Sequence, residues 1–132
     1  AVPQTVLSKP GKLDSGERSL VRRHPGIGED MLRRSDGIPR QVIEVAARHH
    51  ERLDGTGYPR GLDGRHIDDL SRLAAVVDVH VALTEPRAYK TAHSDEAAFA
   101  LMLRTDLHGL EPSYLHRYRE MILDTRPGLR AA

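Results

Sequence analysis

The sequence predicts an all-α domain of five or six helices interrupted by one Gly/Pro-rich loop. Apolar residues recur at helical rather than alternating spacing, as at Val42, Ile43, Val45, Ala46 and Ala47. Aromatic residues are scarce, one Phe, four Tyr and no Trp, which leaves the core to Leu, Val, Ile and Ala, and such cores are usually helical. Helix-start signals also stand ahead of successive apolar stretches, and no segment reads convincingly as a strand.

Residues 1–13 contain Lys9-Pro10-Gly11-Lys12 and read as an entry connector with a turn. A helical body over 14–124 follows. Asp14 with Glu17 forms a capping-box pattern that starts a helix through about Arg23. Pro25 breaks or restarts it through Arg33, and Gly37 and Pro39 mark the next boundary. The helix from Pro39 runs into His49 and His50. Residues 53–66 form a loop, because Gly55, Gly57, Pro59, Gly61 and Gly64 forbid regular helix. Leu70 to Thr84 is apolar nearly all round, which predicts the central buried helix. Ser94 caps a helix through Arg104, Pro112 sits in the first turn of a last helix through Leu123, and 125–132 is a tail.

At 132 residues the chain is one domain's worth and can bury a core without disulfides. It has no cysteine, which excludes thiolate zinc and cysteine nucleophiles and fits a reducing, cytoplasmic setting. Twenty basic residues against nineteen acidic give a net charge of +1, so neither a DNA or RNA surface nor a polybasic membrane face is expected. No apolar run approaches the roughly 20 residues needed to cross a bilayer. The start at Ala1-Val2-Pro3, without methionine, suggests a piece of a longer protein.

The residues able to carry chemistry are few. Asp78 stands in the most apolar run of the chain, and an unpaired carboxylate there would cost several kcal/mol. It needs a cation, either an arginine or a metal. His49 and His50 continue the inward spacing of the helix before them, and an inward histidine is either a satisfied core residue or a ligand. Glu51 and Asp54 beside them make a set that suits iron, manganese, zinc or nickel. His24 is a weaker candidate. Arg87 and Lys90 are either phosphate clamps, one a fork and one a point charge, or two solvated surface cations. Tyr58 and Tyr89 could stack on a guanine ring or pack their loops down.

In order along the chain, four segments resemble the HD-GYP domain family. They are Val6-Leu7-Ser8-Lys9-Pro10-Gly11-Lys12-Leu13; His24-Pro25-Gly26-Ile27-Gly28; His49 through Gly64, with Gly57-Tyr58-Pro59 at its centre; and Asp78 through Thr84 with Arg87-Ala88-Tyr89-Lys90. The resemblance implies an HD-type helical bundle and hydrolysis of the bacterial second messenger cyclic di-GMP. It makes His24, His49, His50 and Asp78 metal ligands and Arg87 and Lys90 phosphate contacts. It makes Gly57, Tyr58 and Pro59 the loop bordering the site, where diguanylate cyclase partners are also thought to meet the family. The cofactor it implies is two or three divalent transition metal ions, often iron or manganese.

The family's His-Asp dyad and Gly-Lys pair fall a handful of residues upstream of Ala1. The chain is therefore expected to be a partial HD-GYP domain, inactive in isolation. Val81 replaces a usual acid, His80 a usual Tyr and Ala88 a Pro. The competing readings are a non-catalytic module binding a nucleotide or a diguanylate cyclase, and a helical metal-dependent hydrolase of another nucleotide or cyclic dinucleotide.

Overall fold

The computed structural model describes residues 2–86, 91–104 and 109–125. Within the expected connector a single turn, α1 (Gln4–Leu7), forms and ends at Ser8. The capping box is realised: Asp14 accepts from the Glu17 backbone N–H at 2.9 Å and Glu17 accepts from the Asp14 N–H at 2.8 Å, starting α2 (Ser15–Val21). Lys9 folds back to pair with Glu17 at 2.6 Å, which ties the entry segment to α2.

Pro25 restarts the helix, as expected, after α2 has ended at Val21. It lies in the first turn of α3 (His24–Arg33), where its missing N–H would have had no helical partner. Helix α4 (Arg40–Arg48) starts after Pro39 and ends with His49 at its C-cap. After the loop, a short 3-10 turn (Gly64–His66) leads into α5 (Asp69–Thr84), capped by Asp68, which accepts from the Ser71 N–H. Helices α6 (Asp95–Met102, capped by Ser94) and α7 (Pro112–Asp124) complete the body. Among the described residues the one β feature is an isolated bridge between Asp54 and Asp63 inside the loop.

Helix α3 packs on α4 and α4 on α5, while α5, α6 and α7 pack mutually. The core lies in that second group: Ala75, Val76, Phe99, Met102, Leu110 and Leu115 are buried, with Val79, Leu83, Tyr114 and Ile122 against them. Burying a side chain the size of Phe99 contributes about 2–3 kcal/mol.

The expectation that α5 is buried all round is corrected. With α4 on one side and α6 and α7 on another, a third stripe stays open, and Leu70, Leu73 and Val81 are 51%, 39% and 39% exposed. Two arginines then lock the N-terminal end of α5. Arg48 at the end of α4 pairs with Asp68 at 3.0 Å, and Arg72 reaches the Ile67 carbonyl oxygen at 2.8 Å and Glu111 before α7 at 3.1 Å.

Candidate metal centre

Two helix ends and one helix middle bring the site residues together. His24 opens α3, His49 and His50 close α4, and Asp78 projects from the middle of α5. One nitrogen from each of His24, His49 and His50 lies within 4.8 Å of the others, a cluster able to hold a metal ion. The ring centroids are 5.3 Å apart for His24 and His49, 4.9 Å for His24 and His50, and 4.2 Å for His49 and His50.

The hydrogen bonds fix which nitrogens face inward. His24 Nδ1 lies 2.7 Å from the Val21 carbonyl oxygen, and His49 Nδ1 lies 3.0 Å from that of Ala46. A carbonyl only accepts, so both Nδ1 atoms donate, and in this tautomer of the neutral ring Nε2 presents the bare lone pair. Those two Nε2 atoms face each other at 3.2 Å. Two lone pairs at that distance repel unless a cation sits between them. Two nitrogens on one ion, each at about 2.0–2.1 Å, stand roughly 3 Å apart, so the donor set fits a divalent transition metal. Backbone carbonyls orienting the far side of each ring are the support that metal-binding imidazoles require.

Burial, helped by His49, His24 and the Arg52 guanidinium, pushes His50 down from 6.5 to about 3. One of its ring nitrogens therefore keeps a bare lone pair across the physiological range. Its Nδ1 lies 3.3 Å from Asp78 Oδ2. Asp78 thus joins the site through His50 but lies outside the three-histidine cluster, and its side chain is 39% exposed. The expectation of a carboxylate sealed among apolar neighbours is corrected: Asp78 faces the cleft between α4 and α5. Val81, one turn further on, is also exposed.

Glu51 and Asp54, expected to contribute to a metal set, do other work. Glu51 is 2% exposed and accepts from the backbone N–H groups of Arg60 at 2.7 Å and Leu62 at 2.9 Å. It pins the far limb of the loop to the residue following His50. The near limb is fixed by the Tyr58 N–H, which donates to the His50 carbonyl oxygen at 3.1 Å. Asp54 accepts from the Thr56 N–H and hydroxyl at 3.0 and 2.7 Å, closing a local turn. Gly57 has a steric reason to be glycine, since a Cβ there would lie 2.5 Å from Arg52 N, Glu51 Cα and His50 O. The loop is thereby pressed onto the backbone that follows His49 and His50.

Through this packing the Tyr58 ring stacks on His50 at 4.7 Å, with Arg22 4.6 Å from the ring centroid. The Tyr58–Pro59 peptide bond is cis, and Pro59 is exposed. Arg52 donates to the Glu51 carbonyl oxygen at 2.8 Å; burial lowers its pKa, with Asp78 the foremost opposing influence. Arg87, Ala88, Tyr89 and Lys90 lie outside the described residues.

His80, which stands where the family usually has a Tyr, is buried on the opposite side of α5. It stacks on Phe99 at 4.5 Å, and its Nδ1 lies 3.1 Å from the Tyr118 hydroxyl. Its Nε2 is 3.0 Å from Asp95 Oδ1 but without hydrogen-bond geometry. It is a core residue that joins α5, α6 and α7. The roles of Glu51, Arg22 and Arg52 were not legible in sequence; only the buried fate of a Glu flanked by two histidines and a glycine-rich loop could have hinted at the first.

The model of the HD domain family matches residues 1–113. A cyclic di-GMP phosphodiesterase of Pseudomonas aeruginosa is 44% identical over 108 residues, which are 82% of this chain and 26% of that protein. The cyclic di-GMP phosphodiesterase response regulator RpfG of Xanthomonas campestris is 47% identical, over 77% of this chain and 27% of its own length. The 3'3'-cGAMP-specific phosphodiesterase 2 of Vibrio cholerae is 43% identical, over 73% and 19%. This chain thus spans about a quarter of the length of the first two. A solved HDG"Y"P protein of Bdellovibrio bacteriovorus shares the fold, with a TM-score of 0.70 over 90% of this chain and 37% of its own at 20% identity.

Proposed function

The chain belongs to the HD domain family, and from that premise we propose that it is the metal-binding part of an HD-GYP phosphodiesterase that hydrolyses cyclic di-GMP. The observation that carries the reading is the pair of Nε2 atoms facing each other at 3.2 Å beside His50. In this reading residues 1–132 are a partial HD-GYP domain with its defining loop at 53–66. His24, His49, His50 and Asp78 hold divalent metal, iron or manganese, as two or three ions in the complete site.

When bound, the metal supplies Lewis acidity toward a phosphodiester and a means of activating water near neutral pH. The residues of the chain set the conditions for it. Val21 and Ala46 carbonyl oxygens keep His24 and His49 in the tautomer that leaves Nε2 free. Burial keeps His50 neutral. Tyr58 covers the His50 face and limits water there, and Glu51 holds the loop that positions Tyr58. Arg87 and Lys90 are assigned to the phosphate oxygens of the substrate. The exposed Pro59 is the surface proposed for a diguanylate cyclase partner.

A second substrate has a specific observation behind it. Relatives named for 3'3'-cGAMP are 43% and 46% identical, alongside 44% and 47% for two named for cyclic di-GMP, so identity does not separate the two. Both nucleotides therefore enter one test. The complete protein, loaded with iron or manganese, is incubated with each and the loss of cyclic dinucleotide is followed by chromatography. Faster loss of cyclic di-GMP, abolished by His49→Ala, is the expected result. Preference for 3'3'-cGAMP would move the substrate assignment, and loss of neither would overturn the enzyme reading.

A further inference from the structure

Arg33, Arg40, Arg48, Arg60, Arg65 and Arg72 each pair with a carboxylate. Arg22 does not: among the described residues its guanidinium has no carboxylate within salt-bridge distance and lies instead over the Tyr58 ring, 4.6 Å from the centroid. Tyr58 is the ring that stacks on His50, so Arg22 stands one aromatic ring away from the histidine centre. We propose that Arg22, seated on Tyr58, forms an anion subsite that takes a phosphate oxygen of a cyclic dinucleotide held at the metal centre. The inference rests on the functional reading above and adds a substrate contact to it.

The physical case has three parts. A guanidinium lying on a π face satisfies its electrostatics through the face and keeps its in-plane N–H donors for an oxyanion, which an arginine locked in a carboxylate fork cannot do. Its backbone is fixed: Arg22 is the C-cap of α2, its N–H donates to the Arg18 carbonyl oxygen at 2.9 Å, and the next turn begins with His24. The donor is thus built on the same short stretch as a metal ligand. A cyclic dinucleotide carries two phosphodiesters, and only one can occupy the metals at a time. The other needs a cation at a distance from them, and Arg22 stands at such a place. Arg52, which acts electrostatically on Tyr58 and His50, adds to the positive potential there.

The test compares wild type, Arg22→Lys and Arg22→Met in the complete metal-loaded protein, reading kcat, KM for cyclic di-GMP and metal content by elemental analysis. Arg22→Met keeps much of the aliphatic stem and removes the charge. It is expected to raise KM tenfold or more, the size of a lost charge-assisted hydrogen bond, with kcat within threefold and metal content unchanged. Arg22→Lys restores the charge but not the fork, and its KM is expected between the other two. Wild-type turnover with an unchanged KM in Arg22→Met overturns this inference alone. So does a KM rise accompanied by metal loss, which would make Arg22 a loop clamp. A wild type that leaves cyclic di-GMP intact overturns the functional reading and this inference together.

Discussion

Replacing Gly57 by alanine tests whether the loop is pressed onto the backbone that follows His49 and His50 as described. The new Cβ would sit 2.5 Å from three backbone atoms, Arg52 N, Glu51 Cα and His50 O, none of which can rotate away as a side-chain tip would. Overpacking of this kind costs about 1–3 kcal/mol, and contact with backbone places it at the upper end. If the loop lifts to relieve it, the Tyr58 N–H loses the His50 carbonyl oxygen, for about 1 kcal/mol more. The total, about 3 kcal/mol, corresponds to a fall in Tm of roughly 10 °C for a domain of this size. Gly26→Ala in α3 is the matched control. A Cβ there meets nothing within 4 Å, so the better helix propensity of alanine should leave stability equal or higher, by up to about 1 kcal/mol. Thermal unfolding followed by circular dichroism reads both, and a manganese titration reads the centre. A Gly57→Ala protein that melts within 1–2 °C of wild type and binds metal equally well would refute the reasoning.

Glu51→Gln should cost about 2–3 kcal/mol and weaken metal binding, because an amide turns a donor toward one of the two N–H groups the carboxylate serves; urea unfolding and the same titration check it. Glu29, held below the usual carboxylate range first by its hydrogen bond from Arg33, is 6% exposed and also pairs with Arg60. Its pKa is lowered on folding, so its contribution is complete above the unfolded value of 4.5 and is lost as pH falls through the lower folded value. The urea midpoint of Glu29→Gln should therefore change less than that of wild type between pH 5 and acid, and equal slopes would contradict this.

The helices were legible because their signals are local. Asp14 and Glu17, Pro39, Ser94 and Pro112 each act on backbone groups a few residues away, and the structure starts helices beside all of them. The approach of His24 to His49 is a long-range fact, reached in sequence only through family resemblance. Periodicity overreached at α5: an apolar run says which residues tolerate burial, while the number of neighbouring helices decides which are covered, so Leu73, Val81 and Asp78 remain partly open. Glu51 was misread for a related reason. Its partners are backbone N–H groups nine and eleven residues on, which have no residue identity in the sequence to betray them.

The central claim is that three imidazoles from two helix ends face one cation. X-ray absorption at the metal edge of the manganese- or iron-loaded protein tests it most directly. The account predicts a nitrogen shell with the outer-shell scattering of imidazole rings, reduced in steps by His24→Ala and His49→Ala. A shell of oxygen scatterers alone, unchanged by both substitutions, would contradict it.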